Sequence, residues 1–368
     1  MESAPGPETV VDGRSYLYFG GTSYLGLAAH PAVIEAGCAA LRRYGVHSAT
    51  SRSGWGNSPP VLEVEDQAAR FFGTEAAFYF GSGYMANHIL VSALAPDYDV
   101  ILLDESSHYC VVEAAGLGGL PVVRFAARQV TDFSNKLRRF ERVLVMADAV
   151  GPASGELAPV GEYVRLLQNR RQACLLLDDA HGFGVLGEAG RGVFDELGWW
   201  PLVNGGAGID GVELAVGGTL AKALGGFGGI LVGTNEFVAR AKSASHYFDG
   251  ASAPAAAVAG SSGKALELVR QHPEWRRQLA ENVAFLKRGL RNLGLPVPPG
   301  RTAHFGVSIG TRRDMERIHE GLKEQGILLP FVGAYSGIPK EGVLRLAVFA
   351  NHTREQLDCL LDELKCML

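Results

Sequence analysis

The 368-residue sequence predicts an α/β protein: a large unit on a mostly parallel seven-stranded sheet flanked by helices, then a smaller C-terminal α+β unit. Three observations carry that prediction. Short apolar runs alternate with longer amphipathic ones from about residue 60 to 260, the rhythm of parallel strands joined by crossover helices. Several short runs are continuous in Val, Ile and Leu, as strands covered on both faces must be. From about residue 262 the layout changes to a long amphipathic pattern at 273–294, the chain-breaking "LPVPPG", and a strand–helix–strand–helix series.

In order, the expected strands of the large unit are "AAFYF" (76–80), "DVILL" (99–103), "PVVRF" (121–125), "RVLVM" (142–146), "ACLLLD" (173–178), "ELAVG" (213–217) and "GILVG" (229–233). Expected helices include 61–72, 84–94, 159–171 and 234–245. The smaller unit reads as helix 273–294, strand "HFGVSIG", helix "RDMERIHEGLKEQG", strand "VLRLAVF" and a last helix. That last helix opens on Thr353-x-x-Gln356, a capping box. The division is therefore an N-terminal segment (1–50), a large domain (51–261) and a small C-terminal domain (262–368).

Composition narrows the function. A net charge of −5, with Lys/Arg runs no longer than doublets such as Arg42-Arg43 and Arg170-Arg171, argues against nucleic acid as a partner. Five scattered cysteines without a C-x-x-C pair read as reduced thiols, with no metal site. The first residues lack the basic and apolar regions of a signal peptide. No apolar stretch reaches the roughly 20 residues that span a bilayer. A cytoplasmic protein is expected.

Open parallel sheets bind ligands beyond the carboxyl ends of their strands, so the residues that follow each strand are the candidates. After 76–80 comes "GSGYMAN", a glycine turn entering a helix, where backbone N–H groups beside Ser82 suit a phosphate. Gly-Ser-Gly is also a common turn, so this signal is weak alone. After 99–103 comes His108, and after 142–146 comes Asp148. In "LLLDDAHGFGVLGEAGRG", Asp178 ends an apolar strand with His181 three residues on. A buried carboxylate there needs a cationic partner in the crevice, unless the acidic pair merely caps a helix or forms a surface ion pair. In "GGTLAKALGGFGG", Lys222 lies among small residues. A P-loop requires Gly before the lysine and Ser or Thr after it, and here Ala221 and Ala223 flank it. What remains is a lysine reaching solvent or a Schiff-base lysine whose proton affinity burial lowers. In the order phosphate turn, ring-stacking His, Asp-x-x-His and Thr-x-x-Lys, the features fit pyridoxal 5′-phosphate.

On "TSYLGLAAHP", "LLLDDAHGFGVLGEAGRG", "GTLAKALGGFGG" and "LRLAVFANHT", nearly the whole chain resembles the α-oxoamine synthases, fold-type I pyridoxal-phosphate enzymes. The resemblance implies that Lys222 forms the Schiff base, Asp178 keeps the pyridine nitrogen protonated, His181 bonds the ring hydroxyl and His108 stacks on the ring. It places Ser82, Gly83 and Tyr84 at the phosphate with Thr219 close by, and Arg345 on the substrate carboxylate. The implied reaction joins a small amino acid to an acyl thioester, from CoA or a carrier protein, with loss of CO₂. It also implies a homodimer with its active site between subunits.

The chain departs from the family pattern at four places. Asp148 stands for a Glu, Pro152 for a Ser near the ring, Val61 for a His, and Gly250 for the hydroxyl residue of a "STSxPP" segment. These leave room for an aminotransferase or an aldol-type lyase on the same scaffold. A non-catalytic partner subunit is the third reading, and the retained Lys222, Asp178, His181 and His108 argue against it.

Overall fold

The computed structural model describes residues 1–368. The chain opens with an antiparallel hairpin, β1 (Glu8–Val11) and β2 (Arg14–Tyr18), then helices α1 (Pro31–Tyr44) and α2 (Pro59–Phe72). The strand–helix series follows: β3 (Ala76–Phe80), α3 (Ala86–Leu94), β4 (Val100–Asp104), α4 (Tyr109–Leu117), β5 (Val122–Phe125) and α5 (Val130–Leu137). It continues through β6 (Arg142–Asp148), α6 (Val160–Leu167), β7 (Gln172–Asp178), α7 (Val193–Glu196), β8 (Val212–Thr219), β9 (Gly229–Gly233) and α8 (Asn235–Ala244). The remainder is α9 (Ala256–Gln271), α10 (Glu274–Asn292), β10 (His304–Val307), α11 (Arg312–Glu324), β11 (Ile327–Leu328), β12 (Phe331–Val332), β13 (Val343–Ala347) and α12 (Arg354–Met367).

The seven expected strands form one sheet in the order β3-β9-β8-β7-β6-β4-β5. From β5 to β8 neighbours run parallel, whereas β9 is antiparallel to both β8 and β3. Chain length explains the reversal. Only residues 220–228 separate β8 from β9, and a parallel return needs about a dozen residues or more. The tight return places the Lys222 loop at the carboxyl edge of β8. Because Phe80 pairs with Gly229, the turn after β3 lies at that same edge.

Side chains alternate between two cores on the faces of the sheet. Val143, Val145, Leu175 and Leu177 belong to one. Leu144, Met146, Cys174 and Leu176 belong to the other, against α3, α4 and α8. Continuing the alternation by one step puts Asp148 and Asp178 on the α3/α4 face. Burial of these aliphatic chains, at about 1.5–3 kcal/mol each, is what fixes the strands and hence the spacing of the two carboxylates.

The small unit carries the antiparallel sheet β10-β13-β12. Its β11 pairs in parallel with β2, so the N-terminal hairpin docks on the C-terminal unit. The final helix opens on the expected Thr353–Gln356 capping box. Two helices are shorter than expected. After β3 a single 3-10 turn, Gly83–Met85, precedes α3, and α6 ends at Leu167 because the chain must turn back into β7. Residue 262 falls within the continuous α9, which packs on α1 and α2. Small residues allow the close approach: a Cβ on Gly37 would lie 2.3 Å from Ser261 Oγ. We propose the same division into units, with α9 as a shared strut.

Strands β8 and β9 pair directly only at Gly218–Ile230 and Thr219–Gly229. Asn204, fully buried and at φ 50°, fills the gap between them. Its Nδ2 donates to the carbonyls of Val216 (2.8 Å) and Val232 (2.6 Å), and its Oδ1 accepts from Val216 N–H (2.8 Å). Asn204→Leu strands three buried backbone groups and should lower unfolding stability by about 3 kcal/mol or more in a denaturant titration.

Candidate active site

The carboxyl edge of the sheet opens into a cavity of about 220 Å³ lined by Ser82, Gly83, Tyr84, His108, Asp148, Asp178, His181, Thr219 and Lys222, among others. Eight of the nine residues expected to carry chemistry are in its walls. A larger depression of about 790 Å³ is lined by Arg276, Arg277 and Arg301 together with Glu188, Asp195 and Glu196. Charges of both signs already pair there, as in Arg301 with Glu196, so it offers no comparable chemistry.

Two acids form the floor. Asp148 and Asp178 are register partners on β6 and β7 and share one face. Asp178 Oδ2 accepts from Asn87 Nδ2 (2.6 Å) and its Oδ1 from Ala180 N–H (2.9 Å), but no cation pairs with it. Asp148 Oδ2 accepts from the His108 backbone N–H at 2.5 Å. Burial, reinforced by the Asp178 charge, holds Asp148 well above the ordinary carboxyl value. A cationic ring nitrogen at this floor would relieve both acids. His108 caps α4, with Nδ1 accepting from Cys110 N–H at 3.2 Å, and burial keeps its ring below the usual histidine value.

The turn after β3 has the chemistry to take an anion. Ser82 Oγ accepts from Tyr84 N–H at 3.3 Å. Gly83 lies so close to Thr219 that a Cβ there would sit 2.5 Å from the threonine Cβ. Thr219 already donates its hydroxyl proton to the Gly228 carbonyl (2.8 Å), so toward a ligand it acts as a wall and an acceptor. The chemistry of this set fits pyridoxal phosphate: an uncompensated acid for the ring nitrogen, a glycine cradle for the phosphate and a lysine between them.

Lys222 Nζ lies 2.9 Å from His181 Nε2. Burial lowers its proton affinity, against the opposing pull of Asp178 and Asp148. The small residues around it serve protein packing first. A Cβ on Gly225 would lie 2.1 Å from Leu27 Cβ, and one on Gly226 2.7 Å from Ser262 Oγ. Arg345 stands just outside the cavity walls. It donates to the carbonyls of Pro152 (3.3 Å) and Gly21 (3.2 Å) and reaches the Tyr24 hydroxyl at 3.5 Å. Two of its five N–H donors remain for a substrate carboxylate.

Of the four departures, Pro152 lines the cavity and Asp148 forms its floor, whereas Val61 is fully buried in α2 and Gly250 packs on His246. Sequence reasoning missed Asn87, Tyr24 and His304. Only Asn87 carried a signal, at the first turn of the helix that follows the phosphate-type glycines.

Residues 16–364 match the family described as Aminotransferase class I and II. An 8-amino-7-oxononanoate synthase of Delftia acidovorans is 35% identical over 98% of this chain and 89% of its own length. An 8-amino-7-oxononanoate synthase 2 of Bacillus subtilis is 30% identical over 98% and 90%. Among solved structures, serine palmitoyltransferase of Sphingomonas wittichii superposes with a TM-score of 0.89 at 28% identity, covering 100% of this chain and 91% of that one. The chain belongs to the α-oxoamine synthase group of the class I and II aminotransferases. For an α-oxoamine synthase, the substitutions at Asp148 and Pro152 fall in the cavity itself, and Pro152 also takes a hydrogen bond from Arg345.

Two predictions follow from this geometry. Gly83→Ala forces the turn away from Thr219 and should weaken pyridoxal phosphate binding about tenfold or more with unchanged circular dichroism. Asp148 keeps a proton in the folded state that the unfolded chain releases near 3.8. The cofactor-free protein should therefore lose stability as pH rises above that value. Asp148→Asn should flatten this slope and raise the melting temperature at neutral pH. Asp179, raised to about 7 by burial, leaves a residual slope of the same sign up to that pH.

Proposed function

We propose that the chain is a pyridoxal-phosphate-dependent acyltransferase that condenses a small amino acid with an acyl thioester and releases CO₂, giving an α-aminoketone. One observation carries the reading: Lys222 Nζ faces His181 above the uncompensated Asp178, in a chain similar along its length to 8-amino-7-oxononanoate synthases. When bound, pyridoxal phosphate supplies an electron sink for the carbanion formed at the amino acid's α-carbon.

The chain's residues do the rest. Lys222 provides the amine that carries the cofactor and, once freed, takes the α-proton on Nζ as general base. Asp178, oriented by Asn87 and Ala180, keeps a positive charge on the ring nitrogen. His108 would pack against the cofactor ring and His181 would meet its oxygen. The Ser82–Tyr84 turn and Thr219 would hold the phosphate. Arg345 would give its two free N–H groups to the substrate carboxylate and so orient the amino acid.

A homodimer with the site between subunits is part of the same proposal. Trp55 is 94% exposed, and the exposed Phe227 lines the cavity mouth, as residues awaiting a second subunit do. No helix is long and apolar enough to cross a membrane. With five free cysteines, the proposal places the protein in the cytoplasm.

The test is thiol release from acyl-CoA and acyl carrier protein donors across a panel of small amino acids. Release that depends on one amino acid is expected. Borohydride should trap the cofactor on Lys222, and Lys222→Ala should fold but lose turnover. Amino-group transfer to a keto acid without thiol release would establish an aminotransferase instead.

A further inference from the structure

Behind Lys222 runs a line of hydrogen bonds that the reaction above does not use. Lys222 Nζ lies 2.9 Å from His181 Nε2, and His181 Nδ1 lies 2.8 Å from the Tyr24 hydroxyl. That hydroxyl lies 3.0 Å from His304 Nδ1, and His304 Nε2 lies 2.9 Å from the Gly151 carbonyl. Tyr24, His181 and His304 are buried, and they come from three distant parts of the chain.

The far end of the line fixes the direction of every bond in it. A carbonyl oxygen only accepts, so His304 Nε2 carries the proton it shares with Gly151. Burial holds His304 well below the ordinary histidine value, so the ring is neutral and its Nδ1 is a bare acceptor. Tyr24 must then give its one proton to His304. Its oxygen is left to accept, from His181 Nδ1–H and from Arg345 Nη2 at 3.5 Å. His181 is neutral as well, through burial and the positive charge of Lys222, and so presents a bare Nε2. The reverse arrangement turns the Tyr24 proton toward His181 and leaves His304 Nδ1 buried without a donor, which costs more than any bond it gains.

We propose that Tyr24 and His304 are positioning residues that lock His181 in its Nδ1–H form, so that its Nε2 accepts a hydrogen bond from the Lys222 ammonium. The proposal rests on the reading of Lys222 as the lysine that carries the cofactor and then the α-proton. A bond from a charged donor is stronger than one from a neutral amine, so this acceptor favours the ammonium. It opposes burial and thereby sets how readily Lys222 gives up a proton before attack and keeps one after abstraction.

The other groups around Lys222 are Asp178 on β7, Asp148 on β6, Cys110 in α4, His108 at the start of α4 and Arg345 on β13. Asp178 favours the ammonium, and Arg345 disfavours it. None of them depends on the Tyr24 hydroxyl for its place. Arg345 keeps its bonds to Gly21 and Pro152 without it.

Two measurements on the full-length protein test this. Magnetic resonance of isotope-labelled histidine in the cofactor-free form reads the tautomer of His181. The rate at which that form captures added pyridoxal phosphate, followed by absorbance across pH, reads the Lys222 amine. Wild type should show His181 protonated on Nδ1. Tyr24→Phe keeps the ring and its packing. It should show Nε2 protonation and a capture profile moved about one pH unit toward acid, hence about tenfold faster capture on the acid limb. His304→Asn, whose amide oxygen can accept from Tyr24, should keep the wild-type profile. Nε2 protonation in wild type, or an unmoved Tyr24→Phe profile, overturns the proposal. Absence of a borohydride-trapped adduct on wild-type Lys222 overturns the reading of Lys222 instead, while the tautomer measurement stands apart from it.

Discussion

Two carboxylates side by side at the end of a buried sheet are the constraint around which this molecule is organised. Asp148 and Asp178 come into register because β6 and β7 are parallel and packed by aliphatic side chains on both faces. Both acids are buried, and the charge on Asp178 helps to hold the proton on Asp148. The fold answers with neutral donors: Asn87 and Ala180 on Asp178, and the His108 backbone on Asp148. That answer leaves a surplus of negative potential facing the cavity. A cationic ring nitrogen complements it, and a lysine nearby gains a reason to stay charged despite burial.

The reversal of β9 does the complementary work. A crossover helix after β8 would carry the chain away from the carboxyl edge. The short return instead holds residues 220–228 there, opposite the turn after β3, with the loop closed by bonds from Leu220 N–H to Gly228 and from Gly226 N–H to Leu220. Lysine, glycine turn and acids thus come from strands that are neighbours in space and distant in sequence. The sheet order decides the site, and the loops fill it.

Much of this was legible because the signals are local. Six of the seven strands could be read from β-branched and leucine-rich runs, β3 from its aromatic run "AAFYF", and the last helix from its capping box. The site residues could be read from their places just after strands, a rule that found Asp178, Lys222 and Ser82. The rule fails where a side chain arrives from elsewhere. Tyr24 precedes the sheet and His304 lies in the small unit, and neither sits in a pattern that relates it to His181. Helix α4 escaped for another reason: "YCVVEAAGL" is apolar nearly all round, with Leu117 exposed as well as Val111 buried, so no stripe marks it. The starts and ends of α3 and α6 moved because a 3-10 turn and a tight return are backbone solutions that side-chain pattern does not encode.

The seam between α9 and its neighbours has a wider meaning. Gly37 and Gly260 let α1 and α9 touch almost backbone to backbone, and α2 closes on the same strut. Residues near the beginning of the chain therefore finish their packing only when residues beyond 256 have been made. A fragment ending before that helix would expose two oily helix faces and lose Ser262, whose hydroxyl accepts from Phe227 N–H in the lysine loop. The two units look separable on paper, but synthesis of the first yields an unfinished object until the last third of the chain arrives.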